Sequence, residues 1–320
     1  MITILQAAIL GLIQGVTELF PISSLGHSVI LPALFGWGLD QNNPSFLMFL
    51  VVTHLATAIV LFVFFLKDWI EIFKGLGRSV RDRRITAGDT YAKLGWLLIA
   101  GTIPAGILGL VLEKPIRGLF ASPLLAAGFL VMNGLVLFAA EALRRRRATP
   151  APVSAPAAAT HGSGLGPSAL DLATPDSLVT ASVENAEMAD SRLAGLSWKQ
   201  AFGIGSAQAA ALLPGISRSG SSMVGGLLSG LSHEHAARFS FLLATPIIGA
   251  AAVLKLPEVF NPFMADERGA FLVGAVCAAA AAWFSTKFLL RFFETKSLTP
   301  FAVYSVIGGG VYFTALLLMG

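Results

Sequence analysis

Cysteine is almost absent from this chain, with one residue, Cys277, in 320. That excludes a disulfide or a thiolate metal site within the chain. Charge is scarce as well. Lys, Arg, Asp and Glu make up 12% of the residues, where a soluble domain carries about 25%. The deficit falls in long apolar runs: Phe46–Leu66, Leu94–Leu112, Pro123–Ala140, Phe239–Leu254, Gly269–Phe288 and Pro300–Leu318. With flanking residues, each is long enough to cross a hydrocarbon layer of ~30 Å at about 1.5 Å per residue. A cytosolic enzyme, a disordered chain and a secreted disulfide scaffold are excluded. The composition is that of an all-α polytopic membrane protein. Met1–Gly15 lacks a basic n-region and a small-residue cleavage pattern, so it is read as mature structure.

The net charge is +4, but the basic residues are not spread as a nucleic-acid surface. Seven Lys/Arg lie in Lys67–Lys93 and four in Arg144–Arg147. Both groups sit between spans, where the positive-inside rule assigns them to the cytoplasmic side, and no nucleic-acid partner is expected. From Ala148 to Leu196 the chain is rich in Ala, Pro, Ser, Thr and Gly and has no aromatic residue. Such a stretch buries too little apolar surface to offset its ordering entropy. Residues 148–196 are therefore expected to be a disordered cytoplasmic linker between two halves, 1–147 and 197–320.

The halves are related. A shift of 194 positions places Gly11, Gln14, Leu19, Ile22, Ser23, Gly26 and Ser28 on Gly205, Gln208, Leu213, Ile216, Ser217, Gly220 and Ser222. A shift of 192 places Phe49, Leu50 and Thr53 on Phe241, Leu242 and Thr245. Each half opens with an apolar segment broken in its middle, at Phe20–His27 and at Pro214–Gly220. Pro removes a helical hydrogen bond, Gly favours turns, and Ser competes for backbone groups. Re-entrant helical hairpins over about 3–36 and 200–231 are expected, since irregular backbone at that depth survives only against protein or a wet cavity. Three spans follow each hairpin. An odd number inverts the second repeat relative to the first, and it puts every strong basic cluster on one side. Inverted repeats with broken helices place a site near the midplane.

The two broken segments contain two formal charges, Glu18 and Arg218, one from each half. Ionisable residues at membrane depth are costly and mark function, the plainer alternative being an ion pair that ties the repeats together. Hydroxyls surround both: Thr17, Ser23, Ser24, Ser217, Ser219, Ser221 and Ser222. The start of a helix at Ser217-Arg218-Ser219-Gly220 suits an oxyanion, with backbone amides and a guanidinium fork to hold phosphate. Gln14 and Glu18 share a helical face at i, i+4 and could present oxygens to a divalent cation or a water. His27, beyond the break, could act as nucleophile or as general acid/base. His54, in an apolar span beside Thr53, is assigned to structure. His233, Glu234 and His235 are expected to face water, and Arg238 to reach for lipid headgroups.

The run Gln14-Gly-Val-Thr-Glu18, with Pro21-Ile-Ser-Ser-Leu-Gly-His27 and Pro214-Gly-Ile-Ser-Arg-Ser-Gly220, resembles the bacterial undecaprenyl-diphosphate phosphatase, or bacitracin-resistance protein, family. Phe239–Pro246 also resembles it, and the likeness covers the chain outside the linker. The resemblance implies two inverted repeats, each a re-entrant hairpin plus three spans. It implies removal of the terminal phosphate from undecaprenyl diphosphate at the outer face of the bacterial inner membrane. That step recycles the lipid carrier of cell-wall synthesis and confers bacitracin resistance. Glu18, Ser24, His27 and Arg218 take catalytic positions. Thr17, Ser23, Ser217, Ser219 and Gly220 would bind substrate. Gln14 and Glu18 would hold Mg²⁺ or Ca²⁺, although many members carry Glu where Gln14 stands. Ser24 or His27 attacks or moves the proton. The linker is an insertion relative to the family pattern. The implied partners are a polyprenyl diphosphate and the bilayer, and a homodimer is allowed. The rival reading is a transporter or flippase of a polyprenyl phosphate or small anion, since the same architecture serves transport.

Overall fold

The computed structural model describes residues 2–120, 122–148 and 188–319. Among them the regular structure is helical, with no strand. In chain order the α-helices are α1 (Ile4–Thr17), α2 (Ser24–Leu34), α3 (Pro44–Phe64), α4 (Leu66–Arg81), α5 (Thr90–Phe120) and α6 (Pro123–Ala148). After a short helical stretch at 188–194 come α7 (Trp198–Gln208), α8 (Arg218–Leu228), α9 (His233–Lys255), α10 (Arg268–Thr295) and α11 (Thr299–Met319). Among the described residues six helical stretches are long and apolar enough to cross a membrane, one at each expected run.

Local sequence explains where the short helices begin and stop. Thr3 caps α1 in a reciprocal box with Gln6, and Ser197 caps α7 in the same way with Gln200. These pairs lie 194 positions apart, as do the capping serines of the next helices. Ser23 Oγ accepts from Gly26 N at 3.2 Å at the start of α2, and Ser217 Oγ accepts from Gly220 N at 3.1 Å at the start of α8. Between α1 and α2 the chain breaks over Glu18–Ser23. Ser23 sits there at φ +69°, a left-handed conformation costly for a residue with a Cβ. Between α7 and α8 a short 3₁₀ turn, Ala209–Leu212, leads into the Pro214-Gly215 break.

Packing crosses between the halves. α1 lies along α10, α7 along α5, α6 along α11, and α3 against α9 and α10. Glycine makes two of these contacts close. A Cβ at Gly11 would run into the backbone carbonyl of Gly274, and one at Gly205 into that of Gly101. The main apolar core contains Phe239 and Phe241, and a second apolar cluster contains Phe49, all three fully buried.

One boundary needs correction. Residues 149–187 of the expected linker lie outside the described residues, but 188–196 belong to the fold. Ala189, Leu193, Ala194 and Leu196 are buried, the last three within the main core. Asp190 is 1% exposed and pairs with Arg238 at 3.0 Å. These few apolar side chains are hidden when composition is averaged over the Ala- and Pro-rich stretch before them.

Candidate active site

The two breaks meet, and Glu18 is where they join. The residue ends α1 and is buried. Its Oε1 accepts from Arg218 Nε at 3.2 Å and Nη2 at 2.8 Å, across from the first turn of α8. Its Oε2 accepts from Ser24 Oγ at 2.6 Å and Gln14 Nε2 at 3.1 Å, and lies 3.3 Å from His54 Nε2. A carboxylate has about four lone-pair sites, and this one meets five donor groups. The two charges singled out by their scarcity thus form a buried pair. Arg218 Nη1 is also buried and has no partner, so part of the guanidinium remains available to an anion.

Asn133 of α6, which the sequence reading passed over, holds the breaks together. Its Nδ2 donates to Pro21 O at 2.9 Å and to Ser305 Oγ at 3.3 Å, and its Oδ1 accepts from Ser217 N at 3.0 Å. An Asn in the middle of an apolar span was the available signal. Ser217 and Ser219 add to the tie. Their hydroxyls are 3.0 Å apart, and Ser219 Oγ donates to Phe20 O at 3.2 Å. Ser23, Ser217 and Gly220 are engaged in helix caps, and Thr17 Oγ1 donates to Ile13 O within α1.

His27 does not touch Glu18. Its Nδ1 lies 2.7 Å from Ser23 O, and because a carbonyl only accepts, the hydrogen is on Nδ1. Nε2 is then the acceptor, and Tyr304 Oη donates to it at 2.8 Å, with Tyr312 Oη 3.2 Å beyond. The imidazole nitrogen expected to act on substrate is capped by α11.

Three further expectations are corrected. His54, assigned to structure alone, stands directly on Glu18 Oε2. Its signal was the cost of an imidazole inside an apolar span. His233 is buried against Glu141 at 2.5 Å, and Leu298 N donates to the same carboxylate oxygen, so it does not face water. Arg238 reaches Asp68 and Asp190 at 2.9 and 3.0 Å and lies over the Phe65 ring, rather than extending to headgroups. Tertiary contacts supply partners that a window of neighbouring residues does not contain.

For a divalent cation the donor set gives a partial fit. Gln14 Oε1 is buried beside Glu18 without a hydrogen-bond partner, an oxygen of the kind hard cations take. Among the described residues no three His, Cys, Asp or Glu side chains are grouped to hold a metal. Gln14 Oε1 is thus the one oxygen of the pair left for an ion, since the lone pairs of Glu18 are already met by its five donors.

A carboxylate, a hydroxyl, an imidazole and a guanidinium are thus gathered at paired helix breaks within an all-α, multi-pass membrane protein. The family model described as "Bacitracin resistance protein BacA" matches residues 7–311, and the chain belongs to that family. It is 45% identical to the "Undecaprenyl-diphosphatase" of Mycolicibacterium paratuberculosis, over 95% of this chain and 94% of that one. It is 44% identical to the "Undecaprenyl-diphosphatase 1" of Frankia casuarinae, over 96% of each chain. The "Undecaprenyl-diphosphatase" of Acidiphilium cryptum is 43% identical, over 97% of this chain and 96% of the relative.

Proposed function

We propose that this chain hydrolyses undecaprenyl diphosphate to undecaprenyl phosphate and inorganic phosphate, renewing the lipid carrier of cell-wall synthesis and so conferring bacitracin resistance. Family membership and the names of its relatives support the reaction. The observation that carries the mechanism is the Ser24 hydroxyl, which donates to Glu18 Oε2 at 2.6 Å while Arg218 holds the other oxygen.

Arg218 receives the terminal phosphate through its unpartnered Nη1 and stabilises the charge that develops on it. Ser24 Oγ attacks phosphorus as its proton moves to Glu18 Oε2. The bond from phosphorus to the bridging oxygen breaks, and the electron pair leaves with the lipid monophosphate. Glu18 passes that proton to the departing monophosphate. Water then attacks the phosphoserine and gives its proton to Glu18, which hands it to Ser24 Oγ as the phosphorus–serine bond breaks, and inorganic phosphate and free Ser24 result. Of the nucleophiles that the sequence leaves open, Ser24, His27 or water, the capped Nε2 of His27 disfavours the histidine, and Ser24, on Glu18, is the one proposed. Were Mg²⁺ or Ca²⁺ to bind, Gln14 Oε1 would be the protein oxygen free to hold it beside Glu18, and the ion would neutralise charge on the diphosphate.

The mirrored caps and crossed packing of the two halves support inverted repeats with re-entrant hairpins. With the basic loops inside a bacterial inner membrane, the site opens to the extracytoplasmic face, and the prenyl tail lies in lipid between spans. One chain completes the site.

The test is phosphate release from undecaprenyl diphosphate by purified protein in detergent micelles. With no second compartment present, a transporter gives no product. Release that is absent from Ser24→Ala is expected, and no release by the parent protein would overturn the proposal.

A further inference from the structure

His54 belongs to α3, and its contacts fix the ring at both nitrogens. Nδ1 lies 2.7 Å from Leu50 O, one turn back in the same helix, so Nδ1 carries a hydrogen and donates it. Nε2 faces Glu18 Oε2 at 3.3 Å. At that distance the imidazole and the carboxylate are in ion-pair contact. The ring spans from a helix carbonyl to the carboxylate as a rigid strut. It meets the same oxygen on which Ser24 Oγ sits at 2.6 Å. Arg218 fixes the other oxygen from α8.

The carboxylate is thereby held from both sides by side chains of different helices, and its rotation about the Cγ–Cδ bond is blocked. Arg218 alone, gripping a single oxygen through Nε and Nη2, leaves that rotation free. Ser24 and Gln14 are both adjustable partners, a rotating hydroxyl and a long amide side chain. The imidazole is the stiff one, with its far nitrogen anchored to backbone.

We propose that His54 is a positioning residue for the reaction, setting Glu18 Oε2 against Ser24 Oγ so that the carboxylate meets the hydroxyl proton as attack begins. This rests on the diphosphatase reading above. His54 acts through Glu18 and makes no contact of its own with phosphate, so its loss falls on the chemical step. Binding stays with Arg218.

The experiment compares His54→Leu and His54→Gln with the parent in detergent, using undecaprenyl diphosphate. Leu fills the space but offers no donor, and kcat is expected to fall about 10- to 100-fold, as when an orienting partner is lost. KM should move by less than about threefold, the pattern of an interaction that matters in the transition state. Gln can donate to Oε2 without the backbone anchor, and should recover about tenfold of the kcat lost in His54→Leu. A His54→Leu enzyme with parental kcat, a loss confined to KM, or no recovery by Gln would each overturn the proposal.

A second measurement needs no turnover. In protein labelled with ¹⁵N at histidine, the His54 Nε2 resonance should move in Glu18→Gln, while those of His233 stay in place. An unmoved His54 signal would overturn the strut. A parent without diphosphatase activity would instead overturn the reaction assigned above, and the nitrogen shift would still decide whether His54 and Glu18 are joined.

Discussion

Arg218 and Glu18, 200 residues apart in sequence, meet through one carboxylate oxygen, with Arg218 Nε and Nη2 both donating to Glu18 Oε1 and Nη1 left buried without a partner. A guanidinium used only as a structural tie has no need of an idle buried donor. In the proposed reaction the planar fork serves two anions, and Lys cannot reproduce it. Arg218→Lys should lose about 10²–10³ in rate, the usual cost of one transition-state donor. Arg218→Ala should lose more. Both are measured as phosphate release, with size-exclusion elution as the check that the protein is folded. Near-parental hydrolysis by folded Arg218→Ala would return the pair to a plain tie between halves.

Asn133 aligns what Arg218 and Glu18 need aligned. Asn133→Ala leaves Pro21 O and Ser217 N without their partner in a buried site. Each orphaned group costs about 1–3 kcal/mol. A lower unfolding temperature in detergent is expected together with a loss of kcat, because the N-terminus of α8 is no longer pinned to the first break. Parental values of both would show that the bridge is dispensable.

Asp68 provides a pH signature away from the site. It lies on α4, outside the apolar spans, where burial pushes its carboxyl up to about 6, against the pull of Arg238 and with help from the neighbouring Asp190. The native chain takes up this proton as pH falls through about 6, whereas the unfolded chain waits until near the usual value of about 4. Between those limits the native state binds more protons, so this contribution to stability grows as pH falls and is lost as pH rises through 6. One proton is worth about 1.4 kcal/mol per pH unit inside the window. In thermal unfolding at pH 7.5, 6.0 and 5.0, the parent should gain on Asp68→Asn toward acid. Parallel curves would contradict the assignment.

Deletions separate residues 150–187 from the described fold. Removing 150–187 touches none of the described contacts, so activity within a few-fold of the parent is expected, with a similar unfolding temperature. Extending the cut through Leu196 removes Asp190 from Arg238 and takes Leu193 and Leu196 out of the core. Deleting a buried leucine side chain costs about 2–5 kcal/mol, and the longer deletion should fail to yield folded protein. Equal behaviour of the two would show that 188–196 packs without consequence.

The spans, the two helix breaks and the Glu18/Arg218 pair were legible in the sequence because each is a local anomaly. Apolar length identifies a span, Pro-Gly-Ser inside it a break, and a charge inside it a site. What stayed hidden was partnership. His54 stands on α3, Asn133 on α6 and Tyr304 on α11, and each meets the broken helices only through packing. Hydropathy measures whether a side chain is buried and carries no information about which distant helix buries it. His27 is the converse case: its motif position was plain, while its engagement by Tyr304 depends on a residue 277 positions away.

The glycine contacts bear on how the protein is made. α1 has its main partner in α10, the backbones touching at Gly11 and Gly274, so the first helix leaves the ribosome some 260 residues before the surface it must meet. α7 finds α5 already waiting, at Gly205 and Gly101. The early helix therefore spends most of translation without its mate, exposed to the slow, non-local step of assembly. A gene cut within 150–187 and expressed as two polypeptides should give an active enzyme only when both pieces share a membrane, because each carries one side of the α1–α10, α5–α7 and α6–α11 seams and half of the Glu18–Arg218 site.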